Sequence, residues 1–291
     1  MPASHWIENA ATSITSPISN VLGKKVYIKV LSLTDLPGAM DKMGWQVAPK
    51  LMRRWLNAPA WEMPGNVKID EIDARRLAPS QVDIGTVTMD WALGYPQVKE
   101  AYDLLLATWN TPKAIRRLKE KLQEAGWQGG PFRLGDLSQT TPAVDATSQI
   151  NFMPFGSKLD TIDDMKGTLA KAQLKLAVSG RVARNWLEQD CFLIEELGIY
   201  VYDTYEFIDD GDAWYSQPLG IWSEDRCLSK VEMAKWIAMG WPTNVIAYPG
   251  FVPVFNRDFN RYRTKRGLGG DFVVYSDIKR IKLSKPVKIK L

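Results

Sequence analysis

"AQLKLAVSGRVAR" (172–184) and "CFLIEELGIYVYDTYEF" (191–207) are the two runs whose reading decides the fold. The first alternates apolar and polar residues, the period of a half-buried strand. The second is a longer extended run rich in β-branched and aromatic residues. Two such runs, followed by "GGDFVVYSDI" (269–278) and "KPVKIKL" (285–291), predict a mostly antiparallel sheet in the second half of the chain. One helix interrupts it. "SKVEMAKWIAMGW" (229–241) opens on Ser229 with Glu232 three residues later, a capping box, and stops at Gly240.

The first half reads differently. "KKVYIKVL" (24–31) has the look of a strand, but the residues after it carry a helical period. Met40, Met43, Val47, Ala48, Leu51, Met52 and Trp55 fall on one helical face, with Pro49 expected to kink or interrupt it. "YPQVKEAYDLLLATWN" (95–110) is a second helix. "TPKAIRRLKEKLQEAGW" (111–127) is a third, with Thr111 as N-cap, Pro112 in the first turn and Gly126 as its stop. Its narrow apolar set, Ile115, Leu118 and Leu122, places it on the surface. Between the halves, 126–160 is rich in Gly, Pro, Ser and Thr and reads as a connection. The expected organisation is a flexible leader at 1–23, a mainly helical region at 24–125, a linker-like stretch at 126–160 and a β-rich domain at 161–291. The fold class is α+β, with the helical region packed on an antiparallel sheet or partial barrel.

Composition narrows the chemistry. The 291 residues are 45% hydrophobic with 12 Trp, 10 Tyr and 9 Phe, enough for a sizeable core. No apolar run is long enough to span a membrane, and the N-terminal residues lack the pattern of a secretory signal, so a chain made in the cytoplasm is expected. His5 is the only histidine and stands near the N-terminus, which argues against a Ser–His–Asp or Cys–His triad and a histidine-rich zinc site. Cys191 and Cys227 are read as two buried thiols, with a disulfide as the alternative. Catalysis, if any, rests on carboxylates, Tyr, Lys, Arg or a hard cation such as Mg2+ or Ca2+. The net charge of +4 is a property of the C-terminus: the last thirteen residues hold six basic groups and no acid, leaving 4 − 6 = −2 for the rest. Nucleic acid is therefore not an expected partner. Lysines alternating along "KPVKIKL" suit a protected sheet edge, an anionic lipid surface or an acidic partner.

Two charged segments stand out. "YVYDTYEFIDDGD" (200–212) carries Asp203, Glu206, Asp209, Asp210 and Asp212. Alternation sets Asp203 and Tyr205 on one face and Tyr200, Tyr202, Thr204 and Glu206 on the other. The stretch is a strand ending in a solvated loop, a cation or catalytic site, or a partner-binding edge. "FNRDFNRYRTKRGLGGDF" (255–272) interleaves Arg257, Arg261, Arg263, Lys265 and Arg266 with Phe259 and Tyr262. Guanidinium groups grip phosphate through paired hydrogen bonds, and "GLGGD" brings backbone N–H groups close to an anion. The alternative is a glycine turn into the strand, solvated by the arginines.

Five segments together resemble a bacterial family known as domain of unknown function 6402. They are "LPGAMDKMGWQVAPKLMRRW" (36–55), "MDWALGYPQVKEAYDLL" (89–105), "GIYVYDTYEF" (198–207), "QPLGIW" (217–222) and "NRDFNRYRTKRGLGGDFVVYSD" (256–277). The resemblance implies an association with type VI secretion. An antibacterial effector would pass from the producing cytoplasm to the target cell, with the periplasm as its place of action. A spike or adaptor component and an acidic immunity protein would be its partners. The Asp–x–Tyr–acid arrangement at Asp203, Tyr205 and Glu206 is similar to that of colicin M-type toxins, which cleave a pyrophosphate lipid precursor of peptidoglycan. Here Glu206 stands where that family has aspartate, and no histidine follows. The similarity implies a hydrolytic site at Asp203, Tyr205 and Glu206. The basic segment is its natural complement, adding Asp271 as a further catalytic group and Arg261, Arg263 and Arg266 on the phosphate. The competing expectation is a non-enzymatic adaptor, cargo scaffold or membrane-perturbing module.

Overall fold

The structure is a computed structural model describing residues 15–21, 24–29, 31–68, 73–184, 189–207, 216–240 and 243–291. The chain opens with β1 (Thr15–Val21) and β2 (Lys24–Lys29), then α1 (Leu36–Lys42), α2 (Ala48–Asn57), α3 (Gly65–Lys68), β3 (Val82–Ile84), α4 (Met89–Ala92), α5 (Pro96–Ala107) and α6 (Pro112–Glu124). It continues through β4 (Phe132–Leu134), α7 (Thr141–Ser148), β5 (Gln149–Phe155), α8 (Asp164–Leu169), β6 (Ala172–Arg184), β7 (Asp190–Tyr205) and β8 (Pro218–Trp222). It ends with α9 (Lys230–Met239), α10 (Thr243–Ala247), β9 (Val252–Phe255), α11 (Asn256–Arg266), β10 (Phe272–Tyr275) and β11 (Lys279–Lys290). The fold is α+β.

Two compact units are each assembled from separated segments. The first comprises Met1–Glu62, Thr161–Thr168 and Glu206–Asp271; the second comprises Met63–Asp160, Leu169–Tyr205 and Phe272–Leu291. The units therefore do not part at the 126–160 stretch, which lies whole in the second unit. Nor is that stretch a linker: it holds β4, α7 and β5. The polar, Thr/Pro-rich composition that suggested a connection serves α7, where Thr140 is the extended N-cap residue and Pro142 sits in the first turn. Residues 15–21, expected in a leader, pair as β1 with β2.

The second unit is built on a seven-stranded sheet in the order β3-β10-β7-β6-β4, with β11 also on β7 and β5 also on β6. All pairs are antiparallel except β3 with β10. The long run at 190–205 dominates because sixteen residues give β7 room for β6 along one side and for β10 and β11 in tandem along the other. Its residues Phe192, Ile194, Ile199, Tyr200 and Val201 are fully buried, the last three on alternating faces of the sheet. Helices α5, α6 and α7 cover β5 and β6. Thr111 caps α6 by accepting from the Ala114 N–H at 3.2 Å, and Leu118 and Leu122 are its buried stripe, as their spacing predicted. At β11, Lys282, Lys285, Lys288 and Lys290 are exposed while one side of the strand pairs with β7, the charge pattern that blunts a sheet edge.

In the first unit, α1 and α2 pack together, and β8 pairs with β9. Pro49 does not kink a continuous helix. It lies in the first turn of α2, where its missing N–H costs nothing. The N-terminus of α2 is capped from far away in sequence: buried Asp164 accepts from the backbone N–H groups of Gln46, Val47 and Ala48 at 2.8–3.2 Å. The arginine-rich residues, for which the sequence suggested no regular element, form α11. Asp258 accepts from the Phe255 N–H at 2.8 Å at its start, and left-handed Gly267 ends it.

The capping box expected at Ser229 and Glu232 is present. Arg226 adds a two-pronged ion pair to Glu232 at 2.7 and 2.9 Å. Those hydrogen bonds, with those from Ser229, lower the Glu232 pKa from an ordinary 4.5 to about 2. A group depressed by folding stabilises above its unfolded pKa and loses that contribution as pH falls through the folded one. Anchoring of α9 is thus expected to be complete above about pH 4.5 and to fade toward about pH 2. NMR titration of the Glu232 carboxyl is expected to show a midpoint near 2, moving up toward the ordinary range in Arg226→Ala.

Candidate functional site

The seven residues singled out by sequence fall in two groups. Asp203 and Tyr205 belong to the second unit; Glu206, Arg261, Arg263, Arg266 and Asp271 belong to the first. The chain crosses between units after Tyr205 and again after Asp271.

In the second unit, β10 lies beside β7 with Phe272 opposite Tyr205 and Val274 opposite Asp203. Tyr205 is buried, and its ring stacks on Phe272 with centroids 5.0 Å apart. Burial, reinforced by the Asp203 carboxylate, pushes the Tyr205 phenol well above its ordinary pKa. It is held as a neutral phenol, unsuited to act as a base. Asp203 is half-buried two residues before the end of β7.

In the first unit, Asp271 and Arg263 are committed to each other. Asp271 is 2% exposed, and its Oδ1 accepts from Arg263 Nη2 and, at 2.8 Å, from the Trp55 indole N–H. The Arg263 Nε donates to the Gly269 carbonyl at 2.8 Å, and the guanidinium lies 5.3 Å from the Trp55 ring centre. Trp55 in turn packs edge-on against Phe207 and Phe259, which stack on each other at 3.7 Å. The glycines of "GLGGD" answer to this knot. A Cβ on Gly269, at φ +98°, would lie 2.6 Å from the Trp55 ring, and one on Gly270 would lie 2.5 Å from the Pro59 carbonyl oxygen. They permit close approach of 267–271 to 58–61, where Gly269 N–H bonds the Ala58 carbonyl and Asp271 N–H the Trp61 carbonyl, each at 2.9 Å. The segment read as an anion cradle is here a packing device.

Arg261 is half-buried, with Nη1 enclosed and without a hydrogen-bond acceptor among the described residues. Arg266 is exposed and Glu206 half-buried. Asp209, Asp210 and Asp212 lie outside the described residues. Among the described residues, no three acidic, His or Cys side chains converge to hold a cation. Cys191 and Cys227 are both free and buried; burial pushes the Cys227 thiol up to about 12, making it unreactive at neutral pH.

What sequence reasoning missed is an open polar cleft of about 460 Å³ in the first unit. Asp35 and Lys42 line it from the α1 region, Arg53 and Asn57 from α2, Tyr262 from α11, and Glu224 from the loop after β8. Its cations are tied at the rim: Lys42 to Asp225 at 2.7 Å and Arg53 to Asp41. Asp35 accepts from the Ser32 N–H at 3.0 Å, and the Tyr262 hydroxyl donates to the Leu56 carbonyl at 3.1 Å. Two cations and two carboxylates around one cavity suit a ligand that carries both charges, such as a peptide segment. No local motif marked it, because its lining comes from four separated stretches. The helical period of α2 was the one available signal, since Lys50 and Arg53 fall on its exposed side.

The chain belongs to a family of unknown function, DUF6402, whose model matches residues 31–291. No curated protein and no solved structure matches it.

Proposed function

We propose that this chain is a type VI secretion-associated effector or adaptor that acts by binding rather than by hydrolysis. The secretion context rests on the resemblance carried by the five segments at 36–55, 89–105, 198–207, 217–222 and 256–277. The binding reading rests on one observation: Asp271 and Arg263, which a hydrolytic site would need free, are buried against each other and Trp55. Their charges hold the first unit together. The polar cleft lined by Lys42, Arg53, Asp35 and Glu224 is the surface offered to a spike component, adaptor or immunity partner. The competing reading, hydrolysis of a phosphodiester or pyrophosphate in an envelope precursor with the help of Mg2+ or Ca2+, draws on Asp203 in the second unit or on Glu206 and Arg261 in the first. These three are half-buried rather than sealed.

Growth of a susceptible bacterium separates the two. The chain is directed to its periplasm or kept in its cytoplasm, as wild type, Asp203→Asn or Glu206→Gln. The binding reading expects all three to behave alike in each compartment. Periplasmic toxicity that one neutralised carboxylate abolishes, with an unchanged thermal midpoint, would establish the hydrolytic toxin instead.

A further inference from the structure

Helix α9 is anchored firmly and yet only half-buries its inner face, at Met233 and Trp236. Its N-terminus is held by Ser229, Glu232 and Arg226, but none of its ten residues is buried. At 100° per residue, Val231, Ala234 and Ala238 form the centre of the solvent face, with Ile237 and Met239 at its flanks. Val231 is 66% exposed, Ile237 68% and Met239 42%; Ile246, on the contacting helix α10, is 61% exposed. Isolated exposed apolar residues are ordinary, but four large ones on two adjoining helices are not. The charges are also one-sided. Lys230 and Lys235 are exposed and lie on this same face, between its centre and Ile237 and Met239, while Glu232, the one acid of the helix, is turned back onto Arg226.

We infer that α9, together with Ile246 of α10, is an interfacial docking element for an anionic phospholipid surface. Charge complementarity selects this occupant. Among the described residues the two helices present apolar side chains and positive charge with no fully exposed acid, so a negatively charged surface is attracted to them. Lipid suits the stripe for a second reason. Val231 and, at the two edges of the face, Ile237 and Met239 can enter the acyl boundary together with Ile246 of α10, while the lysine stems between them lie along it and carry their ammonium groups to phosphate level. Glu232 stays with Arg226 and takes no charge into the interface. This inference stands apart from the binding role proposed for the cleft, which uses other residues.

Co-sedimentation of the full chain with vesicles tests it, using phosphatidylcholine alone and phosphatidylcholine with about 30% phosphatidylglycerol. Wild type is expected to partition onto the anionic vesicles, far less onto the neutral ones, and to be released as salt rises from about 0.1 M toward about 0.5 M. Ile237→Glu and the double variant Lys230→Glu/Lys235→Glu are each expected to lower partitioning by about tenfold or more. Lys265→Glu, an exposed basic residue of α11, is expected to leave it unchanged. These side chains are solvent-exposed, so the thermal midpoint stays where it was, and circular dichroism verifies folding. Failure of wild type to bind anionic vesicles, or equal binding by Ile237→Glu, overturns the inference. So does light scattering that shows a wild-type dimer converted to monomer by Ile237→Glu, since the face would then belong to a second copy.

Discussion

Asp271→Ala is expected to lower the unfolding free energy by about 3–5 kcal/mol, the cost of leaving one member of a buried ion pair without its partner. The substitution strips Arg263 of its carboxylate and the Trp55 indole N–H of its acceptor at once. Arg263 has little solvent to turn to, since its side chain is 10% exposed. Arg263→Met alone is expected to fall in the same range, because Asp271 then remains buried with Trp55. Replacing both, as Arg263→Met with Asp271→Leu, is expected to recover much of the loss, since apolar pairs of similar volume often match a buried ion pair. Urea unfolding of the three variants reads this directly. An Asp271→Ala protein with an unshifted midpoint would free the residue for the catalytic role that its sequence context suggested.

The second large effect is expected in the other unit. On the inner side of α7, Asp145 receives three donors: the hydroxyl of Tyr200, the hydroxyl of Tyr275 at 2.8 Å and the ammonium of Lys175 at 3.0 Å. Lys175 is 3% exposed and lies 3.6 Å above the Tyr202 ring. Asp145→Ala removes the carboxylate that all three donors share, and a cost of about 3–5 kcal/mol is expected. Lys175→Met in the Asp145→Leu background is expected to return part of it, because the cation is then gone as well. The network ties α7 to β6, β7 and β10, so hydrogen exchange in those strands should accelerate together in Asp145→Ala. Acceleration confined to α7 would mean that the network orders only the helix.

Neither knot could be read along the chain. Asp145 stands in the stretch that composition marked as a connection, and Lys175 reads as an ordinary polar position in an alternating strand. Only the pairing of β6, β7 and β10 brings Lys175, Tyr200 and Tyr275 to one face. The arginine-rich segment was misjudged for a related reason. Among "NRDFNRYRTKR", Phe259 is the one fully buried aromatic, too sparse a signal for helical period, although Asp258 after Phe255 and Gly267 after a basic last turn were legible end signals.

Local physics was written in the sequence plainly. Residues 172–184 form β6 with the bounds their alternation implied, and Thr111, Ser229, Gly126 and Gly240 mark helix ends because capping and positive φ are properties of a few adjacent residues. The α+β class followed from those periods, and the chemistry closed to a chain with one histidine followed from composition. The tertiary structure decided which charges remain available for function. It spent Asp271, Arg263, Asp145 and Lys175 on folding, because a buried charge persists only where a partner from elsewhere in the chain reaches it. It also left Val231, Ile237 and Ile246 in water, because a helix hides its apolar side chains only when another element lies against that face.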